Sequence, residues 1–172
     1  ILDDGIDLSG ILTDKDRPTI RKTRITANHQ QLVRIDWEEV KGISKDIQER
    51  IFQFLEKESW DILLLSDYAK GSLPKELMQR LIQLGKTRKA QVVVDPKGKD
   101  YAIYSGASLV TPNRKEACEA LGRETTVNWP AEELARELAK THSIDNILVT
   151  LGPEGMLGLN ALTSELRHLP AR

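Results

Sequence analysis

Between residues 44 and 150, the sequence alternates short apolar runs with longer stretches of helical periodicity. Each apolar run is too short for a stable helix and is bounded by turn-forming residues. The runs cover residues 61–66, 91–94, 109–110 and 147–149. Apolar side chains recur at helical spacing in residues 46–58, 74–88 and 130–140. This alternation predicts an α/β fold with a parallel sheet that helices cover on both faces.

The two ends of the chain follow a different pattern. Residues 19–26 and 31–37 alternate polar with apolar or β-branched side chains, and four residues separate them. This pattern predicts a two-stranded hairpin with one wet face, which could serve as a lid. Residues 156–159 and 165–169 lie close together with no helix between them, so we expect an antiparallel edge there.

Polar segments, here called the strand exits, follow the four apolar runs. They begin at Asp67, at Asp95-Pro96-Lys97, at Thr111-Pro112-Asn113 and at Thr150-Leu151-Gly152. In an open parallel sheet the carboxyl ends of the strands share one edge, and ligands bind in the crevice outside that edge. The sequence therefore predicts a single site formed by all four strand exits.

Composition limits which classes of partner and which cellular compartment are expected. The 172 residues include 25 Lys plus Arg against 26 Asp plus Glu, so no basic excess predicts nucleic-acid binding. No apolar stretch approaches the roughly 20 residues that a membrane span needs. The single cysteine, Cys118, lies among small apolar residues and is predicted to be a core side chain. We expect a cytoplasmic protein with no membrane partner.

Each candidate motif also has a purely structural interpretation. Asn113 and Glu116 have the spacing of a helix capping box. The segments 95–98 and 150–155 could be ordinary turns, because Pro and Gly punctuate most chains. The three histidines, His29, His142 and His168, lack metal-ligand spacing and are predicted to lie at the surface.

The order of the motifs resembles that of the ribokinase-like, or PfkB-type, carbohydrate kinases. Four segments carry the resemblance: Asp67-Tyr68-Ala69-Lys70-Gly71, Asp95-Pro96-Lys97, Thr111-Pro112-Asn113-Arg114-Lys115-Glu116, and residues 149–155. Residues 17–19, 22–24 and 29–36 are similar to the heptose-7-phosphate kinase branch of that family. The resemblance covers essentially the whole chain.

The resemblance implies a three-layer sandwich around a mostly parallel sheet, with a small β lid that often builds a dimer interface. It assigns residues 1–40 to the lid and its return strand, and residues 41–172 to the central part of the kinase domain. The implied reaction transfers the γ-phosphoryl group of ATP to the anomeric hydroxyl of D-glycero-D-manno-heptose 7-phosphate, a step in ADP-heptose and lipopolysaccharide core synthesis. The expected partners are a small sugar phosphate and, through the lid, a second copy of the chain.

The resemblance also implies a role for each candidate residue. Asn113 and Glu116 match the family's N-x-x-E motif, in which the Glu helps to hold Mg²⁺ through water, and Lys97 would place a charge at the transferring group. Asp95, Thr150, Gly152 and Gly155 match the nucleotide side. Asp67 matches a position that binds sugar hydroxyls, and Arg24 and Arg34 are candidates for the substrate's own phosphate.

Two parts of the family pattern have no match in this sequence. The Gly-Ala-Gly-Asp turn that supplies the general base is absent, and so are the N-terminal sugar-binding loops. The resemblance therefore implies the middle of a kinase that is inactive by itself and leaves apolar sheet surface uncovered. A kinase for another sugar or a nucleoside, and a non-catalytic module for sugar binding or oligomerisation, remain the alternatives.

Overall fold

A computed structural model describes residues 5–28 and 30–171 of the chain. The strands are β1 (Arg21–Ala27), β2 (Gln30–Trp37), β3 (Ile62–Ser66), β4 (Gln91–Asp95), β5 (Leu109–Val110), β6 (Asn146–Thr150), β7 (Met156–Asn160) and β8 (Glu165–Leu169). The helices are α1 (Lys45–Lys57), α2 (Lys75–Arg88), α3 (Arg114–Ala120) and α4 (Ala131–His142). In these described ranges no helix is long and apolar enough to cross a membrane.

Strands β3 to β8 form one sheet in the order in which they occur in the sequence. Neighbours from β3 to β6 pair in parallel, whereas β7 and β8 add an antiparallel edge. The parallel sheet and its antiparallel edge are thus confirmed. Because a helix or a long connection separates each parallel pair, the carboxyl ends of β3, β4, β5 and β6 all meet at one edge.

The helices pack on one face of this sheet. The core contains every second strand residue, such as Leu65, Val94 and Val149, together with the apolar faces of the helices. Leu64 points the other way and remains 64% exposed, whereas its neighbour Leu65 is only 4% exposed. The prediction of a sheet covered on both faces is therefore wrong for the described residues. Apolar periodicity reports that a strand face is hydrophobic, but not whether another element lies on it.

Local sequence explains where the helices begin and end. Ser44 caps α1, because its hydroxyl accepts a hydrogen bond from the Ile47 amide at 3.2 Å. Helix α2 begins after Pro74 and ends at Arg88, because the backbone of the next residue, Lys89, turns left-handed with φ of 58°. The predicted helices are confirmed, with boundaries that differ by one or two residues.

Strands β1 and β2 form a separate antiparallel hairpin, here called the lid hairpin, with one irregularity between Ile25 and Thr26. Every residue of both strands is exposed. The predicted hairpin is confirmed, but the expectation of a single wet face is wrong for the described residues, because both faces of the hairpin are exposed. Its base is fastened to the loop after β3, where the Arg17 guanidinium donates to the Lys70 carbonyl at 2.5 Å. The lid hairpin is therefore attached beside the first strand exit.

Candidate functional site

The four strand exits lie side by side. Where the strands end, the Asp67 amide donates to the Asp95 carbonyl at 2.9 Å. The Thr150 amide likewise donates to the Pro112 carbonyl at 2.9 Å, and a bridge pairs Asn113 with Thr150. These backbone bonds continue the sheet into the loops and hold the exits next to one another.

Lys97 and Glu116 meet at the centre of this edge, although they come from different exits. The Lys97 ammonium lies 2.9 Å from Glu116 Oε1. Glu116 is only 12% exposed, while Lys97 remains about half exposed. The hydrogen bond to Glu116, with the attraction of its charge, raises the pKa of Lys97 above its ordinary value. Lys97 therefore stays positively charged at neutral pH.

Glu116 also belongs to a complete capping box at the start of α3. Asn113 Oδ1 accepts from the Glu116 amide at 2.9 Å, and Glu116 Oε2 accepts from the Asn113 amide at 3.0 Å. The capping interpretation is thus confirmed as geometry. One carboxylate oxygen serves the cap while the other faces Lys97, so capping does not exclude a role at the site.

The described residues at this edge offer few protein ligands to a divalent cation. In the ranges that the structure describes, no three His, Cys, Asp or Glu side chains come together as a metal cage. Mg²⁺ commonly uses one or two carboxylates and completes its shell with water and phosphate oxygens. Glu116 could supply one such carboxylate, directly or through water.

The exit of β6 turns sharply through residues Gly152–Glu154. Gly152 has φ of +59° and open space where a Cβ would lie. Gly155 has φ of +90°, but its Cβ would come within 2.0 Å of the Leu169 carbonyl oxygen. Gly152 therefore leaves room for a ligand, whereas Gly155 is required by the packing of the end of β8. Asp95 and Thr150 are both exposed at this edge.

Asp67 is almost buried, and protein donors occupy both of its carboxylate oxygens. Oδ1 accepts from the Ala69 amide at 2.7 Å, and Oδ2 accepts from the Tyr104 hydroxyl at 2.8 Å. Tyr104, which lies in a short 3₁₀ turn, Tyr101–Tyr104, is not among the residues predicted from the sequence. No local motif marks it, because its partner is 37 residues away.

Arg114 is a second residue whose role the sequence did not indicate, although it lies within the N-x-x-E segment. Its guanidinium donates to the Trp129 carbonyl at 2.6 Å and to the Glu154 carboxylate at 3.2 Å. It therefore joins the start of α3 to the turn after β6.

Arg24 and Arg34 lie directly opposite each other on the lid hairpin. Arg34 also pairs with Asp36, at 3.0 Å between Nε and Oδ1. Among the described residues, no hydrogen bond or ion pair connects either arginine to the strand exits. The structure thus brings eight of the candidate residues to one edge and places these two on the lid hairpin. The eight are Asp67, Asp95, Lys97, Asn113, Glu116, Thr150, Gly152 and Gly155.

Two further sequence predictions concern cysteine and histidine. Cys118 is buried as predicted, and burial raises the pKa of its thiol. The surface prediction is wrong for His142, because its Nε2 is buried and has no hydrogen-bond partner in the described part of the chain. His168 is exposed as predicted. His29 lies outside the described residues.

Solved structures share this fold. A ribokinase from Giardia lamblia superposes with a TM-score of 0.68 at 16% identity, covering 90% of this chain and 49% of that one. The phosphofructokinase-2 from Escherichia coli in complex with potassium gives a TM-score of 0.63 at 24% identity, covering 79% and 46%. The fold is therefore ribokinase-like.

The family follows from the sequence comparisons. The model of the pfkB family carbohydrate kinases matches residues 1–172, and the chain belongs to this family. Among curated relatives, the bifunctional protein HldE of Wolinella succinogenes is 41% identical over 154 residues, which are 88% of this chain and 32% of the relative. The HldE of Geobacter sulfurreducens is 39% identical over 168 residues, covering 96% and 34%. The chain spans about a third of the length of these relatives.

Proposed function

We propose that this chain is part of an ATP-dependent kinase that phosphorylates D-glycero-D-manno-heptose 7-phosphate at its anomeric hydroxyl. The observation that carries the proposal is the meeting of Lys97 and Glu116 at an edge shared by four strand exits. The family match and the similarity to HldE proteins support the kinase class and the heptose branch.

Phosphoryl transfer needs positioned charge more than covalent help. In this proposal Lys97 neutralises charge on the transferring group, as a mobile ammonium on a flexible stem can. Mg²⁺ would supply further charge neutralisation between phosphate oxygens, with Glu116 as its protein carboxylate. Asn113 fixes the helix start from which Glu116 projects.

The nucleotide would lie along the exits of β4 and β6. Gly152 leaves its backbone accessible and Thr150 offers an exposed side chain, which supports a phosphate-side role. Asp95 is exposed at the same edge, and Gly155 shapes the turn. Asp67 would accept a sugar hydroxyl, because a carboxylate has about four acceptor positions and protein donors fill only some of them.

The substrate's own phosphate would bind on the lid hairpin. Arg24 and Arg34 lie opposite each other, and like charges in that arrangement repel. A dianionic phosphate between two guanidinium groups would remove the repulsion and form paired hydrogen bonds. The electrostatic repulsion in the free hairpin supports Arg24 and Arg34 as the residues that select a phosphorylated substrate.

A substrate panel tests the proposal in the full-length protein. ADP release would be followed with heptose 7-phosphate, fructose 1-phosphate, ribose and a nucleoside, each with MgATP. We expect the highest kcat/KM with heptose 7-phosphate. Replacing both Arg24 and Arg34 by Ala should raise the KM for heptose 7-phosphate about 100-fold, since two charge-assisted contacts are lost. Arg21→Ala, on the opposite face of the hairpin, should leave KM within about twofold.

Two results would overturn the assignment. Preference for an unphosphorylated sugar would favour another branch of the family. Binding of a sugar without any phosphoryl transfer would favour the non-catalytic module.

The 172-residue chain alone should have no kinase activity. No Gly-Ala-Gly-Asp turn occurs anywhere in its sequence, so the family's general base and anion hole are missing. A coupled ATP-consumption assay with heptose 7-phosphate should stay at its background rate. Heptose-dependent turnover by this chain would show that another residue acts as the base.

A further inference from the structure

We propose that Tyr104 is a positioning residue that connects the sugar side of the site to its phosphate side. The inference rests on the proposed function, because it concerns how Asp67 and Lys97 are held for phosphoryl transfer. Nothing in the N-x-x-E segment or the glycine turn includes Tyr104, which reaches the site only through the tertiary fold.

The contacts of the Tyr104 hydroxyl carry the proposal. It donates to Asp67 Oδ2 at 2.8 Å and accepts from the Lys97 amide at 3.1 Å. It also lies 2.9 Å from the Lys97 carbonyl oxygen. One buried hydroxyl thus touches the carboxylate after β3 and both backbone groups of the lysine after β4.

The chemistry of the hydroxyl fits this arrangement. Tyr104 is completely buried, and burial raises the pKa of its phenol well above the ordinary value, so it stays a neutral donor. Its single proton goes to the charged carboxylate, which accepts more strongly than a carbonyl. With Oδ1 held by the Ala69 amide, the carboxylate of Asp67 is fixed at both oxygens.

Fixing Asp67 and Lys97 matters because transfer depends on the relative placement of acceptor and donor groups. The ammonium of Lys97 is carried by a residue whose backbone amide and carbonyl both contact the Tyr104 hydroxyl. If the hydroxyl is removed, the buried carboxylate and the Lys97 amide both lose a partner, and each can recover one only by moving. The expected result is misplacement of both groups without loss of the fold.

Comparison with Tyr101 indicates that packing alone does not explain the hydrogen bonds of the Tyr104 hydroxyl. It lies in the same turn, is equally buried, and packs edge-on against Tyr104 with ring centroids 5.3 Å apart. Its own hydroxyl has no hydrogen-bond partner among the residues that the structure describes. Tyr101→Phe is therefore a matched control, since it removes a buried hydroxyl from the same aromatic pair without breaking a contact to the site.

The first test is independent of catalysis. Amide hydrogen exchange at Lys97 and the amide chemical shift of Ala69 would be compared in wild type, Tyr104→Phe and Tyr101→Phe. We expect Lys97 to exchange about tenfold faster in Tyr104→Phe because its acceptor is gone, and the Ala69 resonance to move as Asp67 reorients. Tyr101→Phe should change neither. Unchanged Lys97 and Ala69 signals in Tyr104→Phe would overturn the positioning role.

The second test is kinetic and uses the full-length protein. Tyr104→Phe should raise the KM for the sugar about tenfold and lower kcat, while the Kd for ATP stays within about twofold. In an Asp67→Asn background, Tyr104→Phe should raise the sugar KM much less, because Tyr104 acts through Asp67. A simple loss of folded enzyme would lower apparent kcat and leave KM unchanged.

The two proposals fail in different ways. If wild type phosphorylates none of the sugars, the proposed function is wrong, and the exchange experiment still decides whether Tyr104 holds Asp67 and Lys97. If wild type is active and Tyr104→Phe has the wild-type sugar KM, the function stands and the positioning proposal is overturned.

Discussion

Glu116 serves both the fold and the candidate site with one carboxylate. Its Oε2 completes the capping box with Asn113, and its Oε1 pairs with Lys97. A substitution that keeps the shape but removes the charge can separate these two roles, since capping needs only an acceptor while cation binding needs the negative charge.

Glu116→Gln should therefore lower Mg²⁺-dependent turnover of the full-length protein on the order of 100-fold, as expected for loss of a transition-state charge contact. Its free energy of unfolding should fall by less than about 0.5 kcal/mol, because the amide oxygen still caps α3. Asn113→Ala is the matched variant for the cap and should cost about 1 kcal/mol of stability. Equal losses of turnover and stability in Glu116→Gln would favour a purely structural role.

His142 should make the fold sensitive to acid. Burial lowers the pKa of this histidine in the folded state, and Asp100 only partly opposes the effect. Below the unfolded value of about 6.5, the unfolded chain binds a proton that the folded chain rejects, so stability falls as pH drops. Urea titrations from pH 7.5 to 5 should show this slope in wild type, and His142→Phe should reduce it. An equal slope in His142→Phe would refute the prediction.

At the scale of secondary-structure elements, the lid hairpin exposes an apolar face. A two-stranded hairpin alone is marginally stable in water, and this one exposes Ile25, Val33, Ile35 and Trp37 on one face. The opposite face carries Lys22, Arg24, Arg34 and Asp36. We infer that the apolar face pairs with a second copy while the charged face remains available to substrate.

Ile35→Lys should weaken this dimer at least about tenfold, because it buries a charge in an apolar interface. Sedimentation velocity across a concentration series measures the change. Thr26→Lys places the same charge on the opposite face and should leave the dimer intact. If the Ile35→Lys protein associates as tightly as wild type, the apolar face of the lid hairpin is not the interface.

At the scale of the whole molecule, one face of the sheet is uncovered, and two neighbouring leucines of β3 lie on opposite sides of the sheet. The open face forms a shallow groove that includes Ile62, Val93 and Leu148. Leu64 lies on this side of the sheet, and Leu65 lies in the core. Exposed apolar surface of this kind promotes association with other chains.

Leu65→Ala should cost about 3 kcal/mol of unfolding free energy, since it leaves a cavity in the core. Leu64→Ala should change stability by no more than about 0.5 kcal/mol. Leu64→Lys should also reduce self-association of the 172-residue chain in light scattering. A large destabilisation by Leu64→Ala would mean that another element covers this face in solution.

The sequence alone determined the elements and the order in which they occur. Helical spacing, short apolar runs and turn residues such as Gly152 act within a few positions, so periodicity and local chemistry identify them. Polar strand exits could also be assigned to one edge, because parallel strands leave no other arrangement of their carboxyl ends.

Only the tertiary structure decided which side chains meet at that edge and what lies over the sheet. Tyr104 and Asp67 are 37 residues apart, and Lys97 and Glu116 are 19 apart, so no local pattern links either pair. The bare face around Leu64 likewise depends on where the helices pack, which a strand's own periodicity does not record. Contacts between distant residues arise from the packing of whole elements, and side-chain distances at the site follow from that packing.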